Sequence, residues 1–234
     1  MNFVKGVVNF TMSVNEKYLA HFECGCIYHV YNKTNNKELL FQSYDNYLYF
    51  LKQYYQYISP VADTFAWNLL PDHFHFLIRI KSSVEIIKHL QTLPLFHQTK
   101  SEKTFLTDND INAITRSSFK RFFTSYAMAY NNLFKRTGNL FYRRFKRVEI
   151  TQDTQFTQAL VYIHANAQKH KLVKEFKLYP WTSYHAVISE KPTKLLRNEV
   201  LEWFGGKERF ITTHQSLVEY YYGFEGAIED DTDM

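Results

Sequence analysis

Apolar and polar positions along the chain follow two periods, and each marks an element. Period two is clearest in PDHFHFLIRI at 71–80. A strand there puts Phe74, Phe76, Ile78 and Ile80 on one face and His73, His75, Leu77 and Arg79 on the other. Pro71 and Asp72 read as the turn that enters it, and VADTFAWNLL before the turn reads as a partner strand. Alternation from Cys26 to Tyr31 predicts another strand, ending in a turn at Asn32–Asn36. Period 3.6 marks a helix over 43–59, with Ser43 as N-cap and an apolar stripe of Tyr47, Phe50, Leu51, Tyr54 and Ile58. Further helices are predicted over 84–93, over 117–138 with a capping Ser and a terminating Gly138, over 153–172, near 194–204 before Gly205–Gly206, and near 207–222. Residues 94–115 read as a polar excursion, and 139–150 as an extended segment.

The order β-α-β-β-α-β-α predicts an α+β sandwich, an antiparallel sheet with helices packed on it. The chain has only 7 glycines and no glycine-rich phosphate loop, which argues against the common nucleotide-binding folds. Its 234 residues are 45% hydrophobic and 18% aromatic, enough for a substantial core. Two cysteines, Cys24 and Cys26, suit a reducing compartment. No signal-peptide pattern and no apolar run of membrane-spanning length is present, so a cytoplasmic location is expected. The net charge of +5 hides an asymmetry: Glu229, Asp230, Asp231 and Asp233 close the chain, and without them 28 basic residues stand against 19 acidic ones. A basic body with an acidic tail is compatible with a polyanionic partner and also with plain solubility.

Two imidazoles side by side on a rigid strand can hold a metal ion, since neutral imidazole is a common ligand; two half-exposed histidines on a sheet face are the plainer alternative. In the 153–172 helix, Phe156, Leu160, Ile163 and Ala167 form one stripe. Tyr162 and Asn166 are neighbours one turn apart at its edge, where a tyrosine can act as nucleophile and an amide oxygen can reach a metal. A boundary Tyr beside a surface Asn is the alternative.

The ordered set LLPDHFHFLI, GNLFYRRF, YIHAN and YPWTSYHAV resembles the bacterial single-tyrosine transposases of the insertion-sequence-200-like superfamily. Within that superfamily it looks like the REP-associated tyrosine transposases, whose enzymes belong to the His-hydrophobic-His (HUH) endonucleases. The resemblance spans roughly residues 20–190 and leaves 191–234 as a helical extension with the acidic tail. It implies a ferredoxin-like fold and a divalent metal, Mg²⁺ or Mn²⁺, held by His73 and His75 with Asn166 as third ligand. Tyr162 would attack single-stranded DNA beside a hairpin. A phenol of pKa about 10 is a poor nucleophile at neutral pH, and a cation on the phosphate would offset this. Attack would leave a 5′-phosphotyrosine and a 3′ hydroxyl, conserving the bond for transfer. The family usually reads Asn-Pro where this chain has Asn166–Ala167, which lets the helix continue.

The segment FYRRFKR puts Arg143, Arg144, Lys146 and Arg147 on both faces of an extended stretch, which predicts exposure and phosphate contact, with Phe141 and Tyr142 available to stack on bases. A solvated edge strand is the alternative. Lys120, Arg121, Lys135 and Arg136 make the ends of the 117–138 helix basic, and Lys120 and Arg121 are expected at the DNA. His21, His29, His164, His170 and His185 are read as structural or surface residues. Single-stranded DNA with a hairpin is the implied partner and a homodimer the expected assembly. A replication initiator or relaxase, and a non-catalytic DNA-hairpin-binding protein of the same descent, are the competing functions.

Overall fold

The computed structural model describes residues 18–92, 105–142 and 144–222. Four strands, β1 (Ile27–Lys33), β2 (Ala62–Leu69), β3 (His73–Ile80) and β4 (Lys146–Ile150), form one antiparallel sheet in the order β2-β3-β1-β4. Helix α1 (Tyr44–Ile58) links β1 to β2, while a short α2 (Ser83–Leu90) and a long α3 (Asp108–Leu133) link β3 to β4. This is the βαββαβ order of a ferredoxin-like fold, as the sequence predicts. Four more helices follow: α4 (Asp153–Lys169), α5 (Tyr184–Ile188), α6 (Arg197–Trp203) and α7 (Lys207–Tyr222). No helix among the described residues is long and apolar enough to cross a membrane.

Strand β3 explains the layering. Its phenylalanine face carries the aromatic core against α1 and α3: Phe76 stacks on Tyr54 at 3.9 Å, and Phe74 lies 5.2 Å from Phe50 and 5.8 Å from Phe123. The histidine face is covered as well, by α4, so His75 and Leu77 are fully buried. Residues past 190 extend the same core, where Leu195, Val200, Phe204, Phe210 and Val218 are buried.

Several boundaries differ from the sequence pattern. Helix α3 starts at Asp108, nine residues before the expected Ser117, so the end of the predicted excursion, residues 108–115, is helical. Thr107 caps it: its hydroxyl accepts from the Asp110 amide at 3.3 Å, while the Asp110 carboxylate accepts from the Thr107 amide at 3.1 Å. The first turns look polar because their buried stripe includes Asn112, whose side chain accepts from the Phe22 amide at 3.1 Å. The helix ends at Leu133, short of Gly138. Arg136, just beyond, grips Glu38 through two nitrogens at 2.5 and 2.7 Å, so this basic end is paired rather than presented to a partner. Helix α4 ends at Lys169, and Lys171 takes a positive φ of 58° to turn the chain.

Arg147 departs most from expectation. Its residue is only 7% exposed. Nε donates to the Ala20 carbonyl at 2.5 Å and an Nη to the Leu19 carbonyl at 3.2 Å, while the guanidinium lies 5.2 Å from each of the Phe22 and Phe145 rings. The side chain tethers the segment before β1 to the sheet edge. Arg144 stays exposed, whereas Arg143, residues 94–104 and the acidic tail lie outside the described residues.

Replacing Arg147 with Met strands two carbonyls and should lower the unfolding free energy by about 1–3 kcal/mol. The same change at exposed Arg144 should stay within about 0.5 kcal/mol. Urea unfolding of the two variants measures the contrast.

Candidate active site

The histidines of β3 and the polar residues of α4 meet on the second face of the sheet. His73 and His75 lie with ring centroids 5.2 Å apart at 89°. The Tyr162 ring stands edge-on above His75 at 5.8 Å, and His73 Nε2 is 3.4 Å from Asn166 Oδ1. The four residues expected to work together are therefore gathered within one chain. The expected boundary position of Tyr162 and Asn166 is corrected: Tyr162 is 8% exposed and Asn166 fully buried. The expected stripe of Phe156, Leu160, Ile163 and Ala167 is buried too, and so is every residue from 159 to 167. A helix buried all round is a core helix, here enclosed by the sheet on one side and the C-terminal segment on the other.

Two features hold α4 in place. Asn68 on β2 donates its amide to the Ile163 carbonyl at 2.6 Å. On the far side, His164 connects to α7 through a chain of hydrogen bonds whose direction is set by its ends. The Phe210 carbonyl can only accept, so His214 Nδ1 donates to it at 2.8 Å. His214 Nε2 must then accept from His164 Nδ1 at 2.9 Å, and His164 Nε2 accept from the Ser183 hydroxyl at 2.8 Å. Ser183 in turn accepts from the Trp67 amide at 2.8 Å. Both imidazoles are neutral, as burial requires: it pushes His164 well below its usual range and His214 down to about 4.

The sequence reading set His29 aside, yet it belongs to this site. The β1–β3 register places Tyr31 opposite His75 and His29 two residues along the same face. His29 Nε2 faces His75 Nδ1 at 3.0 Å, and the His29 ring stacks on Tyr31 at 4.8 Å. Burial lowers His29 to about 3; burial first, then the charges of His73, His29, His170 and Lys169, lowers His75 well below its usual range. His170, which the sequence suggests is structural or at the surface, has its ring 4.9 Å from that of His73. Lys169 completes the neighbourhood, with Nζ 3.5 Å from the Tyr162 hydroxyl and 5.1 Å from its ring.

Among the described residues no cluster of three or more His, Cys, Asp or Glu is placed to hold a metal. The donor set here is two imidazoles and one amide, and it fits a divalent ion. The Asp72 carboxylate engages His73 Nδ1 at 2.6 Å and is itself held below the usual carboxylate range, chiefly by that hydrogen bond. A carboxylate behind a histidine orients the ring and leaves Nε2 as the ligand atom. The 3.4 Å between His73 Nε2 and Asn166 Oδ1 is long for a hydrogen bond. It is close enough for both atoms to reach one ion at about 2.0–2.2 Å. Asn166 Nδ2 is buried with no hydrogen-bond partner, a cost consistent with the amide being aimed by something other than its neighbours.

The expected DNA-binding residues scatter more widely. Lys146 points its ammonium at the rings of Tyr18 (4.8 Å) and Tyr31 (5.9 Å), on the histidine side of the sheet. Tyr142 is 51% exposed, with the Lys33 ammonium 5.9 Å over its ring. Lys120 shares a groove with Tyr142, whereas Arg121 sits over Tyr57 at 5.3 Å, away from both. Arg147 is internal.

No protein-family model matches the chain, and no curated protein matches its sequence. Among solved structures, the chain is similar to a REP-associated tyrosine transposase bound to a REP hairpin, with a TM-score of 0.53 and 16% identity, covering 78% of this chain and 90% of that one. At that identity the likeness shows a shared fold.

The buried neutral histidines should make the protein acid-labile. His29 and His214 take up protons near pH 6.5 when unfolded and only near about 3 and about 4 when folded. The unfolded state therefore binds more protons below pH 6.5, and stability falls as the pH falls. Each histidine should contribute a slope approaching about 1.4 kcal/mol per pH unit. Urea midpoints followed from neutral to mildly acidic pH test this, and a flat profile would contradict the neutral assignment.

Proposed function

We propose that this protein is a metal-dependent enzyme that cuts and rejoins single-stranded DNA beside a hairpin, with Tyr162 as its nucleophile. The observation that carries this reading is the placement of the Tyr162 phenol over His75, with His73 and Asn166 converging beside it in a ferredoxin-like sheet. The similarity to a hairpin-bound tyrosine transposase supports the DNA partner. His73, His75 and Asn166 would hold Mn²⁺ or Mg²⁺, which supplies Lewis-acid stabilisation of charge on the scissile phosphate. A mixed nitrogen and oxygen set suits Mn²⁺ better than Mg²⁺, which favours oxygen.

The chain's own residues do the rest. The Tyr162 oxygen attacks phosphorus, an O–P bond forms, and the bond to the 3′ oxygen breaks. The phenolic proton passes to solvent and the departing 3′ oxygen takes one up. The Lys169 ammonium, 3.5 Å from the phenol oxygen, stabilises the negative charge developing there. Asp72 fixes the His73 ring, and His29 fixes that of His75. The 5′-phosphotyrosine then yields to a 3′ hydroxyl by the reverse displacement, so rejoining needs no external energy source. Because tyrosine and histidines come from one chain, this reading does not depend on a second copy.

Tyr162→Phe should abolish the covalent DNA adduct on a denaturing gel while retaining hairpin binding. An adduct formed by that variant would overturn the assignment. Asp72→Asn should weaken Mn²⁺ binding by about 10-fold or more, through the loss of ring orientation, as measured by calorimetry without DNA. His73→Ala should abolish Mn²⁺ binding and cleavage together, and an unaltered affinity would make the histidines structural.

A further inference from the structure

A groove of about 800 Å³ runs between α3 and a wall made by residues 138–142 and Phe145, on the far side of β1 from the candidate active site. Its floor is aromatic: Phe123 lies 5.0 Å from Phe141 and 5.4 Å from Phe145. Arg116 and Lys120, one turn apart on α3 and both exposed, stand on one wall, and the exposed Tyr142 ring stands on the other. None of its described lining residues is acidic. Rings with cations and no carboxylate suit a base together with its phosphates, because bases stack on aromatic faces and phosphates pair with Lys and Arg. The volume is that of a small-ligand site, too small for a duplex.

The groove also stands in line with the chemistry. The Tyr142 amide donates to the Lys33 carbonyl at 2.9 Å, and Lys33 is the register partner of His73. Neighbouring strands lie about 4.8 Å apart, so the Tyr142 backbone is two strand spacings, about 10 Å, from that of His73. Lys33, exposed between them with its ammonium over the Tyr142 ring, marks a path for the phosphate backbone. We propose that this groove receives one unpaired base of the single strand flanking the scissile phosphate, and so selects which phosphate is presented to Tyr162. The selection clause rests on the strand-transfer reading; the binding clause does not.

The test is fluorescence anisotropy in EDTA with a hairpin oligonucleotide bearing an unpaired oligothymidine flank, in which each flank position is made abasic in turn. Wild-type protein should lose affinity by about 10-fold at one position near the cut and little elsewhere. Thr124→Trp, at an exposed α3 position lining the groove, should bind the intact flank as weakly as wild type binds the abasic one, with no further abasic penalty. Tyr142→Ala should behave likewise, and Thr124→Ser as wild type. An abasic penalty absent throughout, or unchanged in both variants, overturns the groove. Parallel adduct assays with Mn²⁺ separate the two readings. Adduct formation without any abasic penalty sinks the groove and spares strand transfer; a penalty removed by Thr124→Trp in a protein that forms no adduct does the reverse.

Discussion

The register of β3 is the constraint on which the site depends. Both faces of the strand are covered, one by aromatic rings from α1 and α3 and the other by α4. Side chains alternate with a period of two, so a slip by one residue would exchange the sets: imidazoles would enter the aromatic core, and phenyl rings would face Tyr162. Either exchange is costly, because an imidazole buried among phenyl rings loses its hydrogen bonds to water. The aromatic face thus sets the register, and the register sets where His73 and His75 stand. Pairing with β1 then brings His29 to His75 and Lys33 to His73, so one packing decision places most of the polar groups at once.

The polar face is held by hydrogen bonds more than by grease. Helix α4 is buried nearly all round, yet its sheet side meets Asn68 and two histidines and its outer side meets Ser183 and His214. Buried polar networks of this kind specify one arrangement when fully satisfied and are expensive when they are not. Exceptions on this face include Asn166 Nδ2, His29 Nδ1 and Asn68 Oδ1, which are buried with no hydrogen-bond partner.

Much of this was visible in the sequence. The alternation of PDHFHFLIRI gave both faces of β3, and the four-residue spacing of Tyr162 and Asn166 placed them together on one helix. Local patterns of that kind survive folding because they depend only on the period of one element. What escaped depends on contacts between distant segments. His29 looked ordinary because nothing local pairs β1 with β3. Charge on both faces of FYRRFKR suggested exposure, but the Arg147 guanidinium is a flat group that fits between two rings and satisfies two carbonyls. The start of α3 was hidden because its buried stripe uses Asn112 where an apolar residue was looked for. Tyr162 reads as a boundary residue because the helix alone does not reveal that its ring packs over His29 and His75 of the sheet.

From Trp67 through Ser183, His164 and His214 to Phe210, every hydrogen points the same way. The first member is an amide that can only give and the last a carbonyl that can only receive. No link can flip by itself, and neither ring can change tautomer without breaking a bond at each of its nitrogens. A half-docked α7 would leave a buried imidazole nitrogen stranded, so the chain acts as a latch with a single closed position. The seating of the last described helix is therefore tied to the seating of α4, the helix that carries Tyr162.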